Sequence, residues 1–154
     1  QMKKLLGIVL LLLILCNISF AGQELRGIKS FKLDVVQEGD CQGKKYINDV
    51  KTSIEYVIAN SKIKLVDNAD KYEFLKAYML TIGNDTICSS MLELYSYNYG
   101  TAKNSAGNLG FYRLDSFIRE GVYFASPANH KSQVLDWFES RAKKLVVEWT
   151  NAQK

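Results

Sequence analysis

Few residues in this sequence are suited to metal-binding or nucleophilic chemistry. The 154 residues include one histidine, one proline and three cysteines. A single histidine excludes a histidine-rich metal site, and it makes any Ser-His-Asp or Cys-His catalytic site depend on His130 alone. The cysteines lack CxxC spacing, and no GxSxG nucleophile motif is present. We therefore predict no metal and no cofactor, and we identify no catalytic residue.

Long runs of positive charge are also missing. The longest clusters of Lys and Arg are pairs, as at positions 44–45 and 143–144. The net charge is +4, and two of these charges are Lys3 and Lys4 at the N-terminal end. Nucleic-acid binding through a basic patch is therefore not predicted. The composition, 47% hydrophobic and 23% charged, is typical of a folded domain rather than a disordered chain.

The N-terminal segment has the three parts of a secretory signal peptide. Lys3 and Lys4 give a positive start, Leu5–Cys16 is an unbroken apolar run, and small residues precede a cleavage position after Ala21. The apolar run is shorter than the ~20 residues that a membrane-spanning helix needs. We therefore predict a signal peptide over residues 1–21, a periplasmic or secreted protein, and no transmembrane segment after processing.

Cys16 leaves open a second kind of processing, in which the new N-terminus is an acylated cysteine. Bacterial lipoprotein signals have a small residue directly before that cysteine, whereas here the residue is Leu15. The sequence therefore favours a soluble exported protein over a lipid-anchored one.

Residues 22–154 are predicted to form one α/β domain. Phe31, Leu33 and Val35 alternate with polar residues, as in a half-buried strand, whereas the apolar residues of two other segments recur at helical spacing. The predicted elements are a strand at Ile28–Val36, a helix at Tyr46–Asn60, strands at Tyr72–Ile82, Thr86–Tyr99 and Leu109–Ala125, and a helix at Ser132–Thr150.

The element order is β-α-β-β-β-α, and it predicts a two-layer architecture. The first strand–helix–strand unit should have parallel strands, and the short connections that follow should give antiparallel pairs. The last helix is amphipathic and buries its apolar side most easily beside the first helix. We therefore predict a two-layer α/β sandwich, with a four-stranded mixed sheet, two helices on one face and the other face open.

Four segments of the chain resemble a family of small secreted bacterial proteins with no assigned activity. They are GIKSFKLDVV in the first strand, DVKTSIEYVIANSKIKLV in the first helix and its return, FLKAYMLTI in the second strand, and VVEWTNAQ near the end of the last helix. The resemblance covers nearly all of residues 22–154 and rests on apolar spacing. It implies an α/β fold and an exported protein, and it supplies no catalytic residue. The tyrosine-rich third strand has no counterpart motif.

Cys41 and Cys88 are the two cysteines that follow the predicted signal peptide. In an oxidising compartment, an even number of cysteines indicates a disulfide. Cys41 follows the first strand, and Cys88 begins the third strand at the edge where the parallel second strand ends. We therefore predict a Cys41–Cys88 disulfide rather than two free buried thiols.

His130 lies just before the last predicted helix, between Asn129 and Lys131. A catalytic histidine requires a nearby nucleophile and an orienting carboxylate, and the sequence does not indicate either. We predict a solvated loop histidine.

The tyrosines provide a candidate binding surface. In the third strand, Tyr95, Tyr97 and Tyr99 share one face, and the intervening face carries leucines. If the leucines face the helices, the tyrosines lie on the open face; the alternative is a purely structural role, because tyrosine is favoured in strands. By the same alternation, the candidate binding residues are Phe74, Lys76, Tyr78, Tyr95, Tyr97, Tyr99, Arg113, Phe117 and Arg119.

These observations predict a non-enzymatic binding module whose partner is a protein or an envelope polymer. Aromatic and arginine side chains supply large contact areas at interfaces. Two alternatives remain open: a small secreted hydrolase or other enzyme with a dispersed site, and a homo-oligomer in which a second copy covers the open face. A deep pocket with convergent polar groups would indicate an enzyme, whereas a flat aromatic face would indicate a binding module.

Overall fold

A computed structural model describes residues 25–67 and 73–154, so the predicted signal peptide and Cys16 lie outside the described residues. The backbone forms strands and helices in the order β-α-β-β-β-β-α. The elements are β1 (Ser30–Gly39), α1 (Ile47–Ala59), β2 (Lys64–Leu65), β3 (Phe74–Gly83), β4 (Cys88–Lys103), β5 (Leu109–Ala125) and α2 (Pro127–Ala152).

The strands form one mixed sheet with the order β2-β1-β3-β4-β5. β1 pairs in parallel with β2 and β3, whereas β3, β4 and β5 pair in antiparallel fashion. The predicted α/β class and the mixed sheet are confirmed, but the predicted number of four strands is wrong. The fifth strand is β2, whose two residues are too short to show the alternation that identifies a strand in a sequence.

Both helices pack against the same face of the sheet and against each other. Val50, Ile54 and Ile58 of α1 are buried, because they lie four residues apart on one side of the helix. Alternating residues of the strands complete the core between the two layers. Buried strand residues include Phe31, Leu75, Ala77, Met79, Leu92 and Leu94.

Helix α2 begins at Pro127, five residues before the predicted start at Ser132. Proline interrupts the interior of a helix, but it fits the first turn, where its missing N–H leaves no hydrogen bond unmade. The longer helix places His130 in its first turn with 0% of its surface exposed. The prediction of a solvated loop histidine is therefore wrong.

A β-bulge interrupts the pairing of β4 with β5. Tyr97 pairs with Asp115, but the preceding Ser96 pairs with Phe117, so Ser116 is an extra residue in β5. Because side chains alternate along a strand, one extra residue reverses which face the following side chains occupy. The open-face assignment of Phe117 and Arg119 is consequently wrong.

The two misassigned residues instead face the helix layer. Phe117 is 3% exposed and lies opposite Ser96. Arg119 lies opposite Leu94, with its guanidinium 4.6 Å from the ring centre of Phe117, and it forms an ion pair with Glu148 of α2. Both side chains therefore lie on the helix side of β5 and are not part of the open face.

Candidate functional site

The open face consists of the strand side chains that point away from the helices. Phe74, Lys76 and Tyr78 of β3 lie there, as predicted, together with Tyr95, Tyr97 and Tyr99 of β4 and Arg113 of β5. The register aligns Phe74 with Tyr97 and Lys76 with Tyr95. Whether these residues bind a partner remains a prediction, because the structure fixes only where they lie.

Five aromatic rings and Arg113 form one contact network, which we call the aromatic cluster. Its rings belong to Phe74, Tyr95, Tyr97, Tyr99 and Phe111. Contacting ring centres are 5.1–6.4 Å apart, with Phe74 stacked on Tyr97 and Tyr99 stacked on Phe111. The stacked and edge-to-face arrangements are those that aromatic pairs prefer, and such contacts stabilise the cluster.

Arg113 supplies a fixed positive charge within the aromatic cluster. Its guanidinium carbon lies 4.7 Å from the ring centre of Tyr95 and 4.4 Å from that of Tyr97, and its Nε donates to Asp115 at 2.7 Å. Burial by itself lowers the pKa of Arg113, but the hydrogen bond and charge of Asp115 outweigh it and raise that pKa. Burial raises the pKa of both tyrosines, so their hydroxyls stay protonated at neutral pH.

The other end of the open face is apolar, and we call it the apolar end. It consists of exposed side chains from three adjacent strands. Ile82 and Phe124 are 66% and 65% exposed, which is unusual for side chains of their size in a sheet. The members are Leu80 and Ile82 of β3, Met91 of β4, and Val122 and Phe124 of β5.

Sequence reasoning missed the apolar end. Leu80 and Ile82 extend the alternation that Phe74, Lys76 and Tyr78 begin, so this half could have been found from β3. The β5 half could not have been found in this way. Unbroken alternation assigns Val122 and Phe124 to the core, whereas the bulge at Ser116 places them on the open face.

A row of acidic residues separates the apolar end from the aromatic cluster. Glu93 of β4 lies directly opposite Glu120 of β5, and Tyr78 of β3 is next to Glu93 in the same row. Burial, a hydrogen bond to Glu38, and the charges of Glu38 and Glu93 raise the pKa of Tyr78. We call Glu38, Glu93 and Glu120 the acidic row; Glu38 of β1 lies one row nearer the apolar end, aligned with Leu80.

A buried polar cluster lies in the helix layer around His130. The His130 Nδ1 is 3.3 Å from the Tyr46 hydroxyl, and its Nε2 is 3.1 Å from the Ser90 hydroxyl, which in turn is 2.7 Å from that of Thr81. Neutral imidazole has one donor and one acceptor, and each can pair with a hydroxyl. Burial lowers the pKa of His130, so the ring is neutral at pH 7. The cluster therefore satisfies polar groups within the core, away from solvent.

The predicted disulfide joins Cys41 to Cys88 next to this cluster, with the Cα atoms 5.7 Å apart. A sulfur of each cysteine and a ring nitrogen of His130 lie within 4.8 Å of one another. Metal binding requires a deprotonated thiol, and the sulfurs of a disulfide do not supply one. In the oxidised protein these three residues are therefore structural.

Gly39 allows the chain to leave β1 close to β3 on the way to Cys41. Its φ of 68° is in the left-handed region, and a Cβ atom there would lie 2.1 Å from the carbonyl oxygen of Thr81. Glycine tolerates both the backbone angle and the close approach. The tight exit from β1 thus helps to place Cys41 beside Cys88.

Two grooves lie away from the open face. One, of ≈ 550 Å³, lies between the end of α1 and the last turns of α2 and is lined by residues that include Lys62 and Trp149. The other, of ≈ 210 Å³, is lined by residues that include Asp136 and Arg141. His130 lines neither groove, so the only histidine of the chain does not meet a substrate-sized space in either of them.

Within residues 25–67 and 73–154, no helix combines the length and the apolar character needed to span a membrane.

Comparisons with known proteins leave the family of this chain unassigned. No protein-family model matches it, and no curated protein matches it. Among solved structures, it is similar to the rare lipoprotein B from Shewanella oneidensis, with 10% identity, a TM-score of 0.27, and coverage of 80% of this chain and 92% of that one. A TM-score this low supports no argument about fold or function, so the family resemblance remains a prediction.

Proposed function

We propose that this chain is an extracytoplasmic, non-enzymatic binding module, and that the open face contacts a protein partner. The observation that carries the proposal is the side-chain content of that face. It combines an ordered aromatic cluster around Arg113 with large exposed apolar side chains such as Ile82 and Phe124. Exposed apolar patches with polar surroundings are typical of protein interfaces, and aromatic and arginine side chains are enriched at their centres.

The disulfide supports the proposed compartment. Bonds such as Cys41–Cys88 persist in oxidising compartments and are rare in the reducing cytosol. The signal peptide over residues 1–21 lies outside the described residues and remains a prediction.

The position of His130 favours binding over hydrolysis. Because the chain has one histidine and it is fully buried, a Ser-His or Cys-His nucleophilic site has no accessible base of that type. The chemically distinctive residues of the open face instead form contacts with one another that suit recognition.

The double variant Tyr95→Ala/Tyr97→Ala tests the proposal. These substitutions remove two half-buried rings and the stacking surface of Arg113, and they leave the helix layer unchanged. We expect the variant to fold but to lose most of its partner capture, because a central aromatic side chain typically contributes about 2 kcal/mol or more to an interface. The measurement is quantitative mass spectrometry of proteins captured from an envelope extract by immobilised wild type and variant.

Tyr56→Ala is the matched control. Tyr56 is 71% exposed on α1, so its loss removes an equally large ring from the opposite side of the molecule. The proposal requires a protein that wild type and Tyr56→Ala capture equally and that the double variant does not. Equal capture by all three proteins would contradict it. Sedimentation with purified envelope polymer that depends on Tyr95 and Tyr97 would instead assign the face to a polymer and overturn the choice of a protein partner.

A further inference from the structure

The acidic row and the apolar end are neighbours on the open face. Leu80, Met91 and Val122 are aligned across β3, β4 and β5, and the next row on the same face contains Tyr78, Glu93 and Glu120. On the β1 side, Glu38 is aligned with Leu80. An apolar surface is therefore bordered by carboxylates from three different strands.

Glu93 and Glu120 lie directly opposite each other in the antiparallel pair β4–β5. Like charges in this position are destabilising, and a fold gains no stability from keeping them there. Among the ion pairs of the described residues, neither carboxylate has a cationic partner. A local arrangement that opposes stability is typical of a functional surface.

The apolar end supplies no compensating charge of its own. Its five members are uncharged, and the β3–β4 turn beyond it, residues 84–87, contains an aspartate and no lysine or arginine. Lys76 lies one row away on the same face, but no ion pair among the described residues joins it to Glu93 or Glu120. Positive charge from a partner would therefore complement this part of the face.

We propose that the apolar end and the acidic row together dock a cationic amphipathic segment of the partner protein. Apolar side chains of that segment lie against Leu80, Met91, Val122, Ile82 and Phe124, and its lysine or arginine side chains pair with Glu93 and Glu120. The inference rests on the proposed function and specifies the chemistry of the partner.

Charge complementarity disfavours two other occupants. A second copy that docked through its own apolar end and acidic row would bring no lysine or arginine from those residues, because a two-fold interface uses one surface patch twice. An anionic lipid surface would be repelled by the three carboxylates of the acidic row. A cationic amphipathic segment satisfies both the apolar and the acidic parts.

The test uses the disulfide-bonded exported protein and two synthetic peptides of equal length, one alternating Leu and Lys and the other alternating Leu and Glu. We expect only the Leu-Lys peptide to bind, with amide shifts in nuclear magnetic resonance spectra concentrated around Met91 and Val122. Its affinity should fall when the salt concentration rises from about 50 mM to about 500 mM, because salt screens exposed ion pairs. Equal binding of both peptides would overturn the inference.

Two variants assign the contacts. Glu93→Gln/Glu120→Gln should weaken the Leu-Lys complex about ten-fold, the effect of removing two partly exposed ion pairs. Ile82→Ser/Phe124→Ser should weaken it by about as much or more, through lost apolar contact. The glutamine variant should have an unfolding temperature equal to or above that of wild type, because it removes a repulsion.

Glu55→Gln/Glu139→Gln is the charge-matched control. Both residues lie on the helices, so this variant has the same net charge as Glu93→Gln/Glu120→Gln but an unaltered open face. The inference requires the control to bind the peptide as wild type does. Equal weakening in both double variants would mean unspecific attraction by net charge and would overturn it. A stable dimer that the two serine substitutions dissociate would assign the apolar end to a second copy and would also overturn it.

Failure of this inference is distinguishable from failure of the proposed function. If capture of the native partner depends on Tyr95 and Tyr97 but not on Glu93 and Glu120, the proposal that the open face binds a protein is supported. The inference that it docks a cationic segment is then wrong. If no substitution on the open face changes capture, the proposed function itself is wrong.

Discussion

Removal of the Cys41–Cys88 disulfide is expected to lower the free energy of unfolding by about 4 kcal/mol. The bond closes a loop with a sequence separation of 47 residues, and it thereby restricts the unfolded chain. Both cysteines are fully buried and pack within the hydrophobic core, so replacement by alanine keeps the site apolar. Urea unfolding of wild type and Cys41→Ala/Cys88→Ala, followed by circular dichroism, measures the difference.

Reduced wild type is the control for the packing effect of the substitution. It retains both sulfur atoms, so it should lose the part of the stability that comes from the cross-link. An unfolding midpoint that is the same with and without a reducing agent, under conditions in which thiol titration shows full reduction, would contradict the structural role of the bond.

His130→Ala is expected to destabilise the domain by about 2–4 kcal/mol, through a lost buried hydrogen bond and a cavity. In the structure the Tyr46 hydroxyl is buried and pairs with His130 Nδ1, so the variant leaves that hydroxyl without this partner. Ser90 keeps its hydrogen bond to Thr81 and should contribute less to the loss. Thermal and urea unfolding at pH 7.5 measure this effect.

The same histidine should make stability depend on pH. Burial lowers the pKa of His130 in the folded protein below the value of about 6.5 that applies to an unfolded chain. The unfolded state therefore binds more protons in the interval between the two pKa values. The stability that the domain gains from holding His130 neutral is fully present above pH 6.5. It is lost as the pH falls from 6.5 towards the lowered pKa of the folded state.

His130→Gln isolates this titration, because the chain has no other histidine. The variant can still form side-chain hydrogen bonds, but it does not titrate between pH 5 and 7. As the pH is lowered from 7 to 5, we expect the free energy of unfolding of wild type to decrease more steeply than that of His130→Gln. Parallel pH profiles for the two proteins would show that His130 is not held neutral by the core.

Local alternation predicted much of the layer arrangement. Leu92 and Leu94 are buried, and Tyr95 and Tyr97 lie on the open face, because these residues belong to an uninterrupted part of β4 whose apolar side has only one layer to pack against. The same reasoning placed Cys88 near Cys41 through the parallel pairing of the first two predicted strands.

The errors arose where a feature depends on tertiary pairing. The bulge at Ser116 is defined by the register of β5 against β4, and no residue type in β5 indicates it. It moved Phe117 into the core and exposed Val122. Similarly, the burial of His130 follows from the start of α2 at Pro127 and from hydroxyl partners on other elements, which sequence spacing does not reveal.

The proposed site was consequently only half predictable. The aromatic cluster follows from the alternation of β3 and β4 together with Arg113, which precedes the bulge. The apolar end and the pairing of Glu93 with Glu120 require the β5 register beyond the bulge. This is why sequence reasoning indicated an aromatic surface that includes Glu93 but missed the pairing of Glu93 with Glu120 and the apolar end.

Site-specific photocrosslinking in intact cells tests the central claim, that the open face contacts a protein partner. A benzophenone amino acid replaces Tyr99, which is 41% exposed on the open face, or Tyr56, which is 71% exposed on α1. The account predicts a crosslinked product at position 99 that contains this chain and a different protein, and no such product at position 56. Absence of a product at position 99, or the same product at both positions, would contradict the account.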